Sequence, residues 1–285
     1  MKQSVSFDLP IVVDNENLET KHPDRRMTDG TLLLLDFQSS GYNTIPENDA
    51  LLPNIAWENA KIIIDKNGAS AENDYKPKVY NTATANGMHL EYTSKGGLHA
   101  IVSQQNDLQF GNDFVINIPI LVRNYIFDNI GKGYFISLWT RKTRLALTSV
   151  SANFVLSLQD TSNYICAFQT GGSSIIGANL GHRGDSTDLN SLSAKCLNLG
   201  VSQKTGTTFI NTDAGFKFAS QFPYAGFERN KACSEILYQL RIDEIQASKK
   251  TYAQLDADDY AAWQQAFGEG GRFYNDTFTS PATLA

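Results

Sequence analysis

Apolar residues spaced two apart, in short runs closed by Gly, Asn, Pro and Ser, restrict this chain more than any other feature. That alternation is the mark of a strand with one face in a core and the other in water. Phe114, Ile116, Ile118, Ile120 and Val122 form one stripe, predicting a strand that Pro119 makes an edge or a bulged one. Phe154, Leu156 and Leu158 form a second, and Tyr238, Leu240 and Ile242 a third. Residues 32–37 and 134–140 are apolar nearly throughout, as in strands buried on both faces. Residues 61–65 read as a strand ending at the hairpin signal Asn67-Gly68. Residues 88–93 and 98–103 flank Ser94-Lys95-Gly96-Gly97, and pairing them across that turn sets Tyr92 opposite His99 and Leu90 opposite Ile101. In this register His89 and His99 fall on opposite faces, so each reads as a structural histidine rather than half of a metal pair.

Many short strands between such turns predict an all-β sandwich or barrel. Composition agrees: 16 Phe and 12 Tyr against 3 Met favour strands over helical bundles. With 285 residues and 41% hydrophobic content the chain has enough apolar material for one large β domain, and it is neither disordered, collagen-like, coiled-coil nor a small disulfide scaffold. Residues 1–30 are polar and irregular, and are read as an extended arm ahead of a single domain at 31–285.

One helix is expected, at 257–267. Asp256 serves as its N-cap, Asp259 as its third residue, Leu255 staples onto Tyr260, and Gly268 supplies a left-handed stop. Tyr260, Trp263 and Phe267 share one narrow face, with Trp263 as a packing anchor.

The net charge of -6 argues against nucleic acid, because phosphate binding gains from counterion release by cations. The compact basic cluster Lys21, Arg25, Arg26, interleaved with Asp24 and Asp29, reads as a solvated segment. Cys166, Cys196 and Cys233 show no metal or redox spacing, and read as free, mostly buried thiols. The apolar run at 9–13 is too short for a signal-peptide core and no run reaches transmembrane length, so a soluble protein synthesised in a cytoplasm is expected.

Catalytic patterns are missing. Gly131-Lys132-Gly133 lacks the rest of a phosphate-binding loop, Gly172-Ser173-Ser174 does not continue into a nucleophile elbow, and no paired Cys/His spacing exists. A glycosidase needs two carboxylates across a bond; Glu47-Asn48-Asp49 and Glu72-Asn73-Asp74 lie in loops, and Asp243-Glu244 points to opposite faces of a strand. No catalytic residue, no metal site and no cofactor is therefore expected. Ligand contacts are placed in two loops. The stretch 169–193 carries His182, Arg183, Asp185, Asp188 and Asn190, and lacks a clean period. Phe222, Tyr224 and Phe227, among polar neighbours, suit stacking on a sugar ring or burial against a neighbouring subunit.

The C-terminal stretch carries a family likeness. It reads Ile236-Leu237-Tyr238-Gln239-Leu240-Arg241-Ile242-Asp243-Glu244, then Ala247-Ser248, the helix, Gly270-Gly271-Arg272-Phe273 and Asp276-Thr277-Phe278. This resembles the ending of concanavalin A-like (laminin G-like) jelly-roll modules of bacteriophage tail and other virion proteins. Leu33-Leu34-Leu35-Asp36-Phe37 resembles their opening strand, which pairs near the last one, and Trp139 fits their aromatic mid-chain strand. The chain departs from them in Ser248-Lys249 where Ser-Gly is usual, and in lacking the glucanase acids. The resemblance implies an antiparallel jelly-roll β-sandwich with one short C-terminal helix. It implies a non-enzymatic virion component of tail, baseplate, fibre or capsid surface, whose partners are copies of itself and other virion proteins. A module recognising a host surface glycan is the alternative, and a glycoside hydrolase the next.

Overall fold

A computed structural model describes residues 22, 24–39, 44–66, 68–105, 114–145, 147, 154–159, 164–169, 178–183, 192–199, 215–218 and 233–285. Its strands are β1 (Thr31–Asp36), β2 (Lys78–Asn81), β3 (Met88–Tyr92), β4 (Leu98–Val102), β5 (Phe114–Asn117), β6 (Tyr134–Arg144), β7 (Phe154–Gln159), β8 (Tyr164–Gln169), β9 (Ala178–Arg183), β10 (Leu192–Leu199), β11 (Gly215–Phe218) and β12 (Ser234–Glu244). The helices are α1 (Trp57–Ile64), α2 (Ile120–Asp128), the single turn α3 (Ile245–Ser248) and α4 (Tyr252–Phe267).

Every pairing between the described strands is antiparallel. The largest sheet has seven strands in the order β3-β4-β12-β6-β10-β9, with β1 also on β12. β12 is its axis. β6 runs along one edge of it, while the other edge is shared end to end: β4 pairs with Glu235–Leu237 and β1 with Gln239–Asp243. All six residues of β1 are buried, as its near-continuous apolar sequence predicts; all eleven of β12 are buried too, although its alternation of Tyr238, Leu240 and Ile242 with Gln239, Arg241 and Asp243 predicts one face in water. A second sheet, β11-β5-β2, supplies Phe216, Phe218, Phe114, Ile116 and Val79 to the same core that receives Leu33, Leu35, Leu237, Leu240 and Ile242 from the large sheet. β7 and β8 form a separate pair, with β7 beside β11.

The architecture is thus β-rich and antiparallel, but it holds more helix than expected. The stripe from Phe114 does not continue as a strand to Val122: β5 ends at Asn117 and α2 begins after Pro119. Positions 118, 122 and 126 satisfy a period of two and a helical i, i+4 period equally, and Ile118, Val122 and Ile126 are all buried while Ile120 is exposed. Residues 61–64 are likewise helical, the end of α1, with Asp65 as its C-cap. Tertiary contacts override the β preference of Ile62-Ile63-Ile64, because Ala56 and Ala60 bring the helix against β1 and Asn59 Nδ2 reaches the carbonyls of Thr28, Asp29 and Thr31. The buried Asn54 brackets the same corner, accepting from Leu34 N and Ala56 N and donating to Leu32 O and Tyr75 O.

The β3–β4 hairpin is one residue out from the expected register: Tyr92 lies opposite Leu98, and Glu91 opposite His99. Gly97 joins the ladder, donating and accepting opposite Thr93, so the turn holds three residues with Gly96 left-handed at φ 86°. A Cβ at Gly97 would stand 2.6 Å from Ile236 Cγ2, so only glycine lets the chain pass β12 this closely. A one-residue slip exchanges faces, and it places His89, Glu91 and His99 together instead of apart.

The last helix starts earlier than expected and stops differently. Thr251, not Asp256, is the N-cap: its hydroxyl accepts from Gln254 N, and Gln254 Oε1 accepts from Thr251 N. Gly268 is not left-handed; Gly270 is, at φ 73°. A Cβ at Gly271 would lie 2.2 Å from Gln265 O, so the Gly270-Gly271 turn folds tightly onto the helix end and delivers Arg272 and Phe273 to the sheet.

Candidate functional site

α4 packs across β6 and β10 on the face of the large sheet that points away from the shared core. A bulge in β12 lets this face collect polar residues. Pairing with β6 jumps from Leu237↔Thr140 to Gln239↔Trp139, so Tyr238 is the extra residue. Tyr238 packs in the cluster under α4 and Gln239 meets Arg26, while Leu237 and Leu240 stay in the main core.

The sheet-facing stripe of α4 runs Tyr252, Leu255, Asp259, Ala262, Ala266, with Leu255, Asp259 and Ala266 buried. It is apolar at both ends: Leu255 meets Phe135 and Cys196, and Ala266 meets Trp139, Tyr238 and Phe273. Its middle is a carboxylate. Asp259 Oδ2 accepts from Ser137 Oγ at 2.7 Å, Trp139 Nε1 at 3.1 Å and Cys196 Sγ at 3.6 Å. Its Oδ1 makes no hydrogen bond among the described residues and lies 4.0 Å from Arg241 Nη1. Arg241 Nε stands 2.6 Å from Asp243 Oδ2, and Asp243 Oδ1 accepts from Thr28 Oγ1 at 3.0 Å and from Thr31 Oγ1. One guanidinium therefore faces two carboxylates, all three groups being at most 2% exposed. Burial raises the Asp259 carboxyl above its ordinary range against the pull of Arg241, and pushes the Cys196 thiol up so that it stays protonated. Asp243, and behind it Asp259, hold Arg241 charged in spite of its burial.

A second ionic group adjoins the first. Asp36 Oδ2, on β1, accepts from both Arg26 Nη1 and Arg272 Nη1. Arg26 also donates to Gln239 Oε1 at 2.7 Å and to Asp24 Oδ1 at 2.8 Å through Nε. Desolvation raises the Asp24 pKa, but the bonds and charge of Arg26 outweigh it and leave the carboxyl below its ordinary value. Arg26 is no solvated residue: its side chain is 7% exposed, and Met27, Thr28 and Gly30 beside it are buried, so the described end of the segment read as an arm is packed on the sheet. Arg272 lies over the Phe273 ring, 4.3 Å from its centroid.

Two clefts open on this surface. One, of about 600 Å³, lies between Asp24, Arg26, Gln265, Glu269 and Arg272. The other, of about 360 Å³, is bordered by Arg25, Arg26, Arg241, Lys250, Asp258 and Gln265. Arg25 and Gln265 border both, joined by an Arg25 Nη2–Gln265 Oε1 bond of 2.6 Å. Sizes of this order suit small polar ligands.

The residues expected to bind ligand are not in these clefts. The stretch 169–193 is not one long loop, since β9 crosses it and pairs with β10. His182 and Arg183 stand on β9 opposite Lys195 and Ala194. Asp185, Asp188, Asn190, Phe222, Tyr224 and Phe227 lie outside the described residues. The loop carboxylates have local uses: Asp49 pairs with Lys78 at 2.5 Å, Glu72 with Lys76 at 2.7 Å, and Asp74 accepts from Ala71 N. His99 donates or accepts at Glu91 and Thr143, both at 2.8 Å, and is fully buried. Among the described residues no group of three His, Cys, Asp or Glu is placed to hold a metal ion, and no helix is long and apolar enough to cross a membrane. No family model matches the sequence, and no curated protein matches it.

Proposed function

We propose that the chain is a non-enzymatic assembly component of a bacteriophage virion, built on a concanavalin A-like jelly roll and acting through contacts with its own copies and with other virion proteins. The observation that carries this reading is the pairing of β1 with β12, Leu35 opposite Leu240, which makes neighbours of the two segments that resemble the first and last strands of such modules. The chemistry-bearing residues support it too. Asp36, Asp243 and Asp259 are engaged by arginines, hydroxyls and the Trp139 indole inside the protein, which fixes how α4 and the 24–30 segment sit on the sheet.

Isoleucines at 62 and 120, exposed on α1 and α2, and the segment before residue 22 are the surfaces this function would use. Mass measurement in solution tests it. The full chain should form a defined oligomer, or bind a neighbouring virion protein. Deletion of residues 1–21, which spares the packed Asp24–Arg26 group, should weaken that association and leave the melting temperature unchanged. A full chain that stays monomeric and captures no virion component would overturn the proposal, as would turnover of an envelope glycan.

A further inference from the structure

We infer that the narrower cleft beside α4 is an anion site, taking a ligand that bears one compact oxyanion, carboxylate or phosphate. Arg241 is the reason. It projects from the middle of the sheet, is 2% exposed, and borders the cleft. Its Nε is held by Asp243, yet Nη1 is too far from Asp259 for a hydrogen bond, and neither terminal nitrogen has a hydrogen-bond partner among the described residues. A guanidinium fixed by its neighbours and left with unused donors is preorganised for a planar or tetrahedral oxyanion.

The other cations complete the site. Arg25 contacts a neutral amide, Gln265, and no carboxylate pairs with it among the described residues, so its charge is not directly compensated by them. Lys250 sits at the same rim, sharing its charge with Asp258 at 2.7 Å. Arg26 brings a third guanidinium, neutralised from behind by Asp24 and Asp36. Asp258 is the carboxylate that borders the cleft itself; Asp243 and Asp259 lie behind Arg241, and burial draws Asp259 toward its neutral form. A ligand oxyanion would thus meet Arg241 at the floor and Arg25 and Lys250 at the mouth.

The test uses the full chain, titrated with inorganic phosphate and separately with acetate, each against chloride at equal ionic strength. Amide chemical shifts and melting temperature are the readouts. One of the two anions should saturate, shifting amides of residues 24–28, 241 and 258–265 and raising the melting temperature; whichever binds tighter identifies the ligand chemistry. Arg25→Gln with Lys250→Gln, changes at exposed side chains, should weaken that binding at least tenfold while the unliganded melting temperature stays put. Arg241→Lys, which keeps the charge and loses the fork, should weaken it several-fold. If neither anion responds beyond the chloride control, if the shifts map elsewhere, or if the double variant binds as the parent does, the site is refuted; the double variant decides should Arg241→Lys not fold.

Discussion

The two faces of the seven-stranded sheet are built on different physics. One face, with Leu33, Leu35, Leu237, Leu240 and Ile242, meets the second sheet and two helices through a core of apolar contacts, with polar bonds such as Asn59 to Thr31 O and Tyr125 to Glu244 at its border. The other meets α4 through apolar ends and an ionic middle, where Arg241, Asp243 and Asp259 are as deeply buried as the leucines. Apolar packing is adaptable, and the first face accepts strands and helices from many segments. Paired charges are directional, and the second face accepts one helix in one position. Breaking a buried pair costs more than removing apolar contacts, because it strands a charge away from water.

Four measurements would sharpen or break that contrast, the largest effect first. Asp243→Ala leaves Arg241 without its ion-pair partner and two threonine hydroxyls without their acceptor, and should cost about 3–5 kcal/mol in denaturant unfolding. Replacing both partners, Arg241→Met with Asp243→Leu, should cost clearly less than that single change; equal costs would mean that the ionic pairing is incidental. On the opposite face Leu240→Ala should lose about 3 kcal/mol, from lost transfer energy and a partly collapsed cavity. Thr251→Ala removes the cap of α4 and should cost about 1 kcal/mol, with no change in the hairpin or in β1.

The smallest effect is a pH dependence. Burial lowers the His99 pKa below its ordinary value of 6.5, despite Glu91. The unfolded chain then takes up the proton first, so this contribution is full above pH 6.5 and is lost as pH falls through the lower folded value. The melting temperature of the parent should fall across that window more steeply than that of His99→Gln. Glu91, whose pKa is lowered by Thr279 and His99 against desolvation, adds its own loss further down, below about 4.5.

What the sequence made legible follows from the same contrast. β1 and the first half of β6 are apolar enough to be read directly as buried strands, while β12 was legible as a strand by its alternation but not as one buried on both faces, because its polar side is covered by α4 and the 24–30 segment. α1 and α2 were hidden because an isoleucine run favours strands locally, and because positions 118 and 122 fit both periods. The hairpin register turned on whether Gly97 belongs to the turn or the ladder, which its contact with β12 decides. The clefts join residues 24–26, 241 and 250–272, too far apart in the chain for any spacing to link them. Two local signals did exist. Thr251-x-x-Gln254 spells a capping box, and Arg241 and Asp243 flank Ile242 as opposite charges on one side of a strand whose other side is core.

The placement of β12 also sets an order of events. This strand touches β1, β4 and β6, and it follows every other described strand in the chain. During synthesis the ribosome must deliver more than two hundred residues before the axis of the sheet exists, so β1 waits for a partner over 200 positions downstream. Such long-range pairing makes for slow folding. Until then the apolar edges of β1 and β6 are open to other chains, and a nascent copy is at its most aggregation-prone just before β12 emerges.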